Sequence, residues 1–309
     1  MKNILFALLF IATVSAWAQE ITVKNIDGVD VDFNKIVSQS QKNQPTIILA
    51  WAKLWCNTPC FKTIEGFSKR YNELKEQYNL RIILINVDGE GDEKNKERLE
   101  RLAQSGYENI TSFADYVRAV SKEKNWTFES YSDEYGNFKK QVKLTETPYT
   151  SLMVNGKTKL QLRGWVGNTF LETKGFDTSV LENPYEFPAY FFATILSQMH
   201  GLEGYYNKDW IPTIKEFDPV YKRTVVKVGD LYEITDSWIT GEIQMRATSK
   251  DITGNTFHGK VSYYYKNGVV SSQQNYLNGV LNGAYKEYNE RGELTRAGTF
   301  VDGIFKIKR

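Results

Sequence analysis

Trp51-Ala52-Lys53-Leu54-Trp55-Cys56-Asn57-Thr58-Pro59-Cys60-Phe61-Lys62 is the stretch that decides how this chain folds. Before it, Pro45 introduces the apolar run Thr46 to Ala50; after it, Phe67, Tyr71, Leu74 and Tyr78 recur at helical spacing up to Tyr78. Leu80 to Val87 is then a nearly unbroken apolar strand ended by Asp88-Gly89. Strand, helix and strand in that order imply a parallel pair joined by a crossover. Thr58 is placed to cap the helix and Pro59 suits its first position, so both cysteines stand at a helix N-terminus. The partial positive charge there favours a thiolate. Cys56, nearer the loop, is the expected exposed nucleophile, and Cys60 would resolve a mixed disulfide. Four helical steps put the two α-carbons about 6 Å apart, near the upper end of what a disulfide accepts, which predicts a looped-out or strained pair.

Working outward, 309 residues exceed one compact domain and favour two folding units. An aromatic fraction of 14% is too rich for disorder, and 25% charged residues is ordinary for a globular protein. With 39 basic against 37 acidic residues, the formal charge of +2 supplies no broad field, so neither nucleic acid nor an anionic membrane is an expected partner. Lys2, the apolar run Ile4 to Val14, and the small residues Ala16 and Ala18 form a secretory signal over residues 1–18, cleaved after Ala18. The mature chain is therefore expected in the periplasm or outside the cell. No segment reaches the roughly 20 apolar residues of a transmembrane helix. The chain has 2 cysteines, both in this motif, and an exported context lets such a pair persist as a disulfide.

Downstream, Ile21 to Ile26 alternates as a strand and Phe33 to Gln39 reads as a short helix. Interleaved charges from Glu90 to Glu100 read as a solvated helix face. Thr147-Pro148 precedes a hairpin, Tyr149 to Val154 and Leu160 to Val166, turned at Asn155-Gly156. Asn183-Pro184 opens a helix carrying Phe187, Phe191, Ile195 and Met199, closed by Gly201. Pro212 and Pro219 mark a linker. Beyond it Gly259, Gly268 and Gly279 return as Gly283, Gly292 and Gly303, and Tyr264 and Tyr276 return as Tyr288 and Phe300, each 24 residues on. The expected layout is an α/β domain over 19–202 with a central mixed sheet flanked by helices, a linker over 203–225, and an all-β array of stacked hairpins over 226–309.

The cysteine stretch resembles the active site of the thioredoxin superfamily, most closely its exported TlpA/ResA-type branch. The resemblance extends over about residues 20 to 200, with Thr147-Pro148 matching the cis-proline loop that faces the cysteines. It implies a thiol-disulfide oxidoreductase acting on protein thiols and disulfides, with Cys56 and Cys60 catalytic and no cofactor. Trp55, Thr147, Pro148 and Tyr149 would form the substrate groove, with Trp51 in the core; for Tyr149 simple strand packing is an equal expectation. Three departures stand out: a three-residue spacer between the cysteines, one extra residue in Lys53-Leu54, and Thr63 where relatives carry an acid. Glu65 is near but displaced, and Ala50 stands roughly where thioredoxin keeps a buried acid. The spacer also occurs in copper-binding Sco proteins, but His200 and His258 fall outside the expected site, so no metal is expected. The alternative is a non-enzymatic interaction protein with a structural or vestigial cysteine pair. Residues 230 to 306 resemble MORN-type repeats, in particular the longer variant of YwqK-like antitoxins; a hairpin cannot bury its face alone, so the stacked ribbon offers a surface either to a partner or to the α/β domain on which it would pack.

Overall fold

The protein is described here by a computed structural model covering residues 20–200 and 203–307. The expected signal, 1–18, and Gly201, expected to close a helix, lie outside the described residues. The chain divides into two compact units, Met1–Phe192 and Ala193–Arg309.

In chain order the first unit contains β1 (Thr22–Asn25), β2 (Asp30–Asp32), α1 (Phe33–Ser38), β3 (Thr46–Trp51), α2 (Asn57–Tyr78), β4 (Arg81–Asn86), α3 (Asp92–Gln104), α4 (Phe113–Glu123), β5 (Glu129–Ser132), α5 (Asn137–Gln141), β6 (Tyr149–Val154), β7 (Lys157–Arg163) and α6 (Asn168–Thr173). The division between the units falls inside α7 (Phe187–Met199). A seven-stranded sheet runs in the order β2-β1-β5-β4-β3-β6-β7. β3, β4 and β5 are parallel, while β6 pairs antiparallel with both β3 and β7.

Every residue of β3 is buried, and so is β4 from Ile82 onward, because covered faces on both sides of a parallel pair demand continuous apolar runs. α2 turns Phe61, Ile64, Phe67 and Leu74 inward and ends on Asn79 in the left-handed conformation, whose N–H bonds the Lys75 carbonyl. Trp51 anchors an aromatic cluster with Phe61, Tyr116 and Trp126 at ring separations of 5.6, 5.8 and 5.5 Å. α3 buries only Leu102. The register of the parallel pair, Trp51 opposite Asn86, brings the C-terminal ends of β3 and β4 together. The loop after Trp51 therefore lies beside the loop after Asn86, at the strand ends where open α/β sheets place their sites.

The second unit contains β8 (Gly204–Tyr206), β9 (Pro212–Thr213), β10 (Tyr221–Val228), β11 (Leu231–Trp238), β12 (Ile243–Ser249), β13 (Gly259–Tyr264), β14 (Val270–Leu277), β15 (Val280–Leu281), β16 (Gly283–Tyr288), β17 (Leu294–Val301) and β18 (Ile304–Ile307). These form an eleven-stranded sheet in the order β18-β17-β16-β14-β13-β12-β11-β10-β8-β9, with β15 against β14. The stretch expected as a linker, 203–225, is instead part of this sheet: Tyr205 pairs with Thr213 and Tyr206 with Tyr221. Pro212 is compatible with a strand because β9 is at the sheet edge, where a missing N–H costs no ladder bond. Ile234, Met245, Ala247 and Val261 form the buried cluster, with Val225, Phe257, Tyr263 and Tyr276 packed against it. Beside them Arg223 forks onto Asp236 at 2.7 and 2.8 Å, and its guanidinium lies 5.7 Å from the rings of Tyr206 and Trp210.

Candidate active site

Cys56 and Cys60 are joined in a disulfide, with α-carbons 5.6 Å apart. The looped-out arrangement expected of a three-residue spacer does not occur, because the Cys60 N–H donates to the Cys56 carbonyl at 3.2 Å and the spacer forms an ordinary helical turn. α2 also starts earlier than the sequence suggests. Cys56 is itself the cap residue, no side chain caps the helix, and Thr58 and Pro59 are its second and third residues. Proline is accommodated there because N–H groups of the first turn have no intrahelical partner to lose.

Cys60 is wholly enclosed and its sulfur accepts the Ala52 N–H at 3.5 Å. Cys56 is 6% exposed, so the open nucleophile expected from the sequence is in fact covered. Its sulfur lies 3.0 Å from the Thr147 carbonyl, which comes from the loop preceding β6. A disulfide sulfur has no proton to donate, so this is a close contact in the oxidised protein and a hydrogen-bond acceptor for the thiol once reduced. The Thr147–Pro148 peptide is cis. Trp55, next to Cys56, is 49% exposed, whereas Trp51 is fully buried.

Tyr149 does not line a groove. It is buried, packs edge-on against Phe138 at 6.3 Å and donates its hydroxyl to Gln161 at 3.1 Å. β6 lies between β3 and β7 with Tyr149 to Met153 all buried, so the first side chain after Pro148 enters the core. Thr63 is buried and donates to the Tyr185 carbonyl at 3.1 Å, while Glu65 pairs with Lys62 at 2.7 Å on the surface. His200 and His258 belong to the second unit. Among the described residues no group of three or more His, Cys, Asp or Glu side chains could hold a metal ion.

The acid that sequence reading missed is Asp88. Its buried carboxylate accepts the backbone N–H groups of Lys53 at 2.8 Å and Leu54 at 3.0 Å, and the Asn86 side-chain amide at 2.7 Å. Burial holds this carboxyl above the usual aspartate range, with the three donors pulling the other way. Consecutive amides 52, 53 and 54 are thus held by Cys60 and Asp88, which fixes the loop between β3 and α2. In the sequence Asp88 marks only the end of an apolar strand; the parallel register of β3 and β4 is what brings it to the loop that follows β3.

A depression of about 520 Å³ opens beside Trp55 and Thr147, and a second of about 360 Å³ reaches Lys53, Asn57 and Thr58. Residues 14–163 match the AhpC/TSA family model. The first unit is thus a thioredoxin-like α/β domain, followed by a large all-β region outside the matched stretch. Solved structures similar to the chain include an uncharacterized thioredoxin-like protein from Porphyromonas gingivalis, at 21% identity over 51% of this chain and 87% of that one, TM-score 0.35. StoA from Bacillus subtilis matches at 20% identity over 48% and 91%, TM-score 0.31. A secreted Mycobacterium tuberculosis disulfide oxidoreductase homologous to E. coli DsbE matches at 12% identity over 46% and 81%, TM-score 0.31. The search of curated proteins gave no match. Among the described residues no helix is long and apolar enough to cross a membrane.

Proposed function

We propose that this protein is an exported thiol-disulfide oxidoreductase that exchanges disulfides with protein clients through Cys56 and Cys60. The observation that carries this reading is the bonded cysteine pair at the start of α2, with the Cys56 sulfur against the Thr147 carbonyl of the Pro148 loop. The match of residues 14–163 to a thioredoxin-like family supports it, and the signal-like residues 1–18 support export. In the reducing direction the Cys56 thiolate attacks one client sulfur, forming a mixed disulfide and releasing the other client sulfur as a thiolate. The Cys60 thiolate then attacks Cys56, restoring the internal disulfide and releasing the second client thiol, so two electrons pass to the client. Pro148 and Trp55 shape the place where the client lies, and Asp88 acts as a positioning residue through the amides of Lys53 and Leu54.

Insulin reduction by the wild type and by Cys56→Ser tests this. Turnover by the wild type that disappears in the variant is the expected result; background rates in both would remove the enzymatic reading. A second reading, a non-enzymatic interaction protein with a structural cysteine pair, is favoured by the burial of both sulfurs. The C-terminal sheet is read as MORN-like hairpins that bind a partner. Support comes from residues 24 positions apart that share a left-handed backbone: Gly268 and Gly292 both have φ of 84°, and Gly279 and Gly303 have 83° and 80°.

A further inference from the structure

The depression beside Trp55 has a charge pattern that the redox reading does not use. Four cations line it, Arg98, Lys139, Lys140 and Lys143, against two carboxylates, Glu90 and Glu146. Glu90 is already engaged by Arg98 and by Lys94. Among the described residues the ammonium groups of Lys139, Lys140 and Lys143 have no carboxylate within ion-pair distance, and the side chains that line the depression carry a positive balance. Arg98 and Lys139 both lie over the Trp55 ring, at 5.4 and 5.5 Å. Lys139 is half-buried, and its ammonium is held below the ordinary lysine range, first by burial and then by the Arg98 cation beside it. The carboxylates that act on Lys139, Glu90, Asp133 and Asp88, do so from a distance and form no ion pair with it, so an anion entering the depression would supply the direct partner that this partly dehydrated cation lacks. The depression also reaches Thr147, whose carbonyl touches the Cys56 sulfur, so an occupant would lie next to the bond that reacts.

We infer that this depression docks an acidic segment of the client, one or more Asp or Glu side chains flanking the client's disulfide, with Trp55 as its apolar floor. The inference rests on the redox reading for the word client, but the docking itself needs no redox step. Its specificity comes from charge, because the protein's total charge of +2 is too small to gather anions by a general field.

The test is fluorescence anisotropy on the oxidised full-length protein with labelled cysteine-free peptides, one rich in glutamate and one with glutamine at the same positions. The glutamate peptide is expected to bind about tenfold more tightly at low ionic strength, an advantage that salt erodes. Lys140→Glu with Lys143→Glu should erase that preference. Lys157→Glu with Lys159→Glu, on β7 outside the depression, makes the same change in net charge and should retain it. Equal binding of the two peptides overturns the inference, and so does a preference that survives the first pair of substitutions or is lost equally in the second. Because the peptides carry no sulfur, this result stands whichever way the insulin assay falls.

Discussion

The carboxylate of Asp88 accepts the backbone N–H of Lys53 at 2.8 Å across the paired ends of β3 and β4. Because burial raises the folded-state value of Asp88, the folded protein binds its proton more tightly than the unfolded chain does. The contribution of this group to stability is therefore greatest at low pH and declines as pH rises through the raised value. Comparing urea denaturation of the wild type with Asp88→Asn between about pH 4 and pH 8 isolates the group. The difference should move in favour of the wild type as the solution is acidified. A difference independent of pH would mean that Asp88 titrates as an ordinary aspartate.

Reduction of Cys56–Cys60 opens a very short loop, with a sequence separation of 4. Loop entropy assigns such a closure about 2 kcal/mol of stability. Denaturation with and without dithiothreitol should show a loss of that order, matched by Cys56→Ser with Cys60→Ser. A much larger loss would argue for a structural pair.

Gly89 has no room for a side chain. A Cβ there would meet the Asp133 carbonyl oxygen and the Glu134 α-carbon, both at 2.6 Å, and neither backbone atom is free to swing aside. Gly89→Ala should cost about 1–3 kcal/mol and release the neighbouring Asp88 from the Lys53–Leu54 loop. Thermal unfolding checks the first effect and the alkylation rate of reduced Cys56 the second. An unchanged melting temperature would refute the close approach.

Arg223 and Asp236 form a fork-to-fork pair in which Asp236 is almost wholly enclosed. Arg223→Met strands that carboxylate and should cost about 3–5 kcal/mol, whereas Arg223→Met combined with Asp236→Leu should recover most of the loss. Denaturation of the three proteins, followed by tryptophan emission, reads this through Trp210, which stacks on Tyr221 at 4.4 Å. Equal losses in the single and double variants would show that packing, and not the stranded charge, sets the cost.

The strands around the cysteines were legible because β3 and β4 are covered on both faces and must be apolar throughout. α2 was legible from its repeating apolar positions, and the β6–β7 hairpin from Asn155-Gly156, where Asn155 and Gly156 adopt φ of 52° and 71°. Other features depend on what the fold brings together. Asp88 reads as punctuation after a strand until the parallel register places it beside Lys53. Tyr149 reads equally as a groove residue or as strand packing until β6 is seen to have neighbours on both sides. Residues 203–225 read as a linker because prolines break local patterns, yet β8, β9 and β10 exist through pairing with one another and β11, which no local window reveals. Cys56 fails as an exposed residue because its cover, Thr147, is far along the chain.

In the C-terminal sheet, enclosed apolar side chains gather around Ile234 and Val261, whereas at the far end Leu294 and Ile304 are mostly in water, Ile304 to 67%. Cohesion therefore declines along the ribbon. Amides of β17 should trade hydrogen for deuterium through brief fraying, while those of β11 and β12 wait for the whole unit to melt, a graded clock written in exchange times.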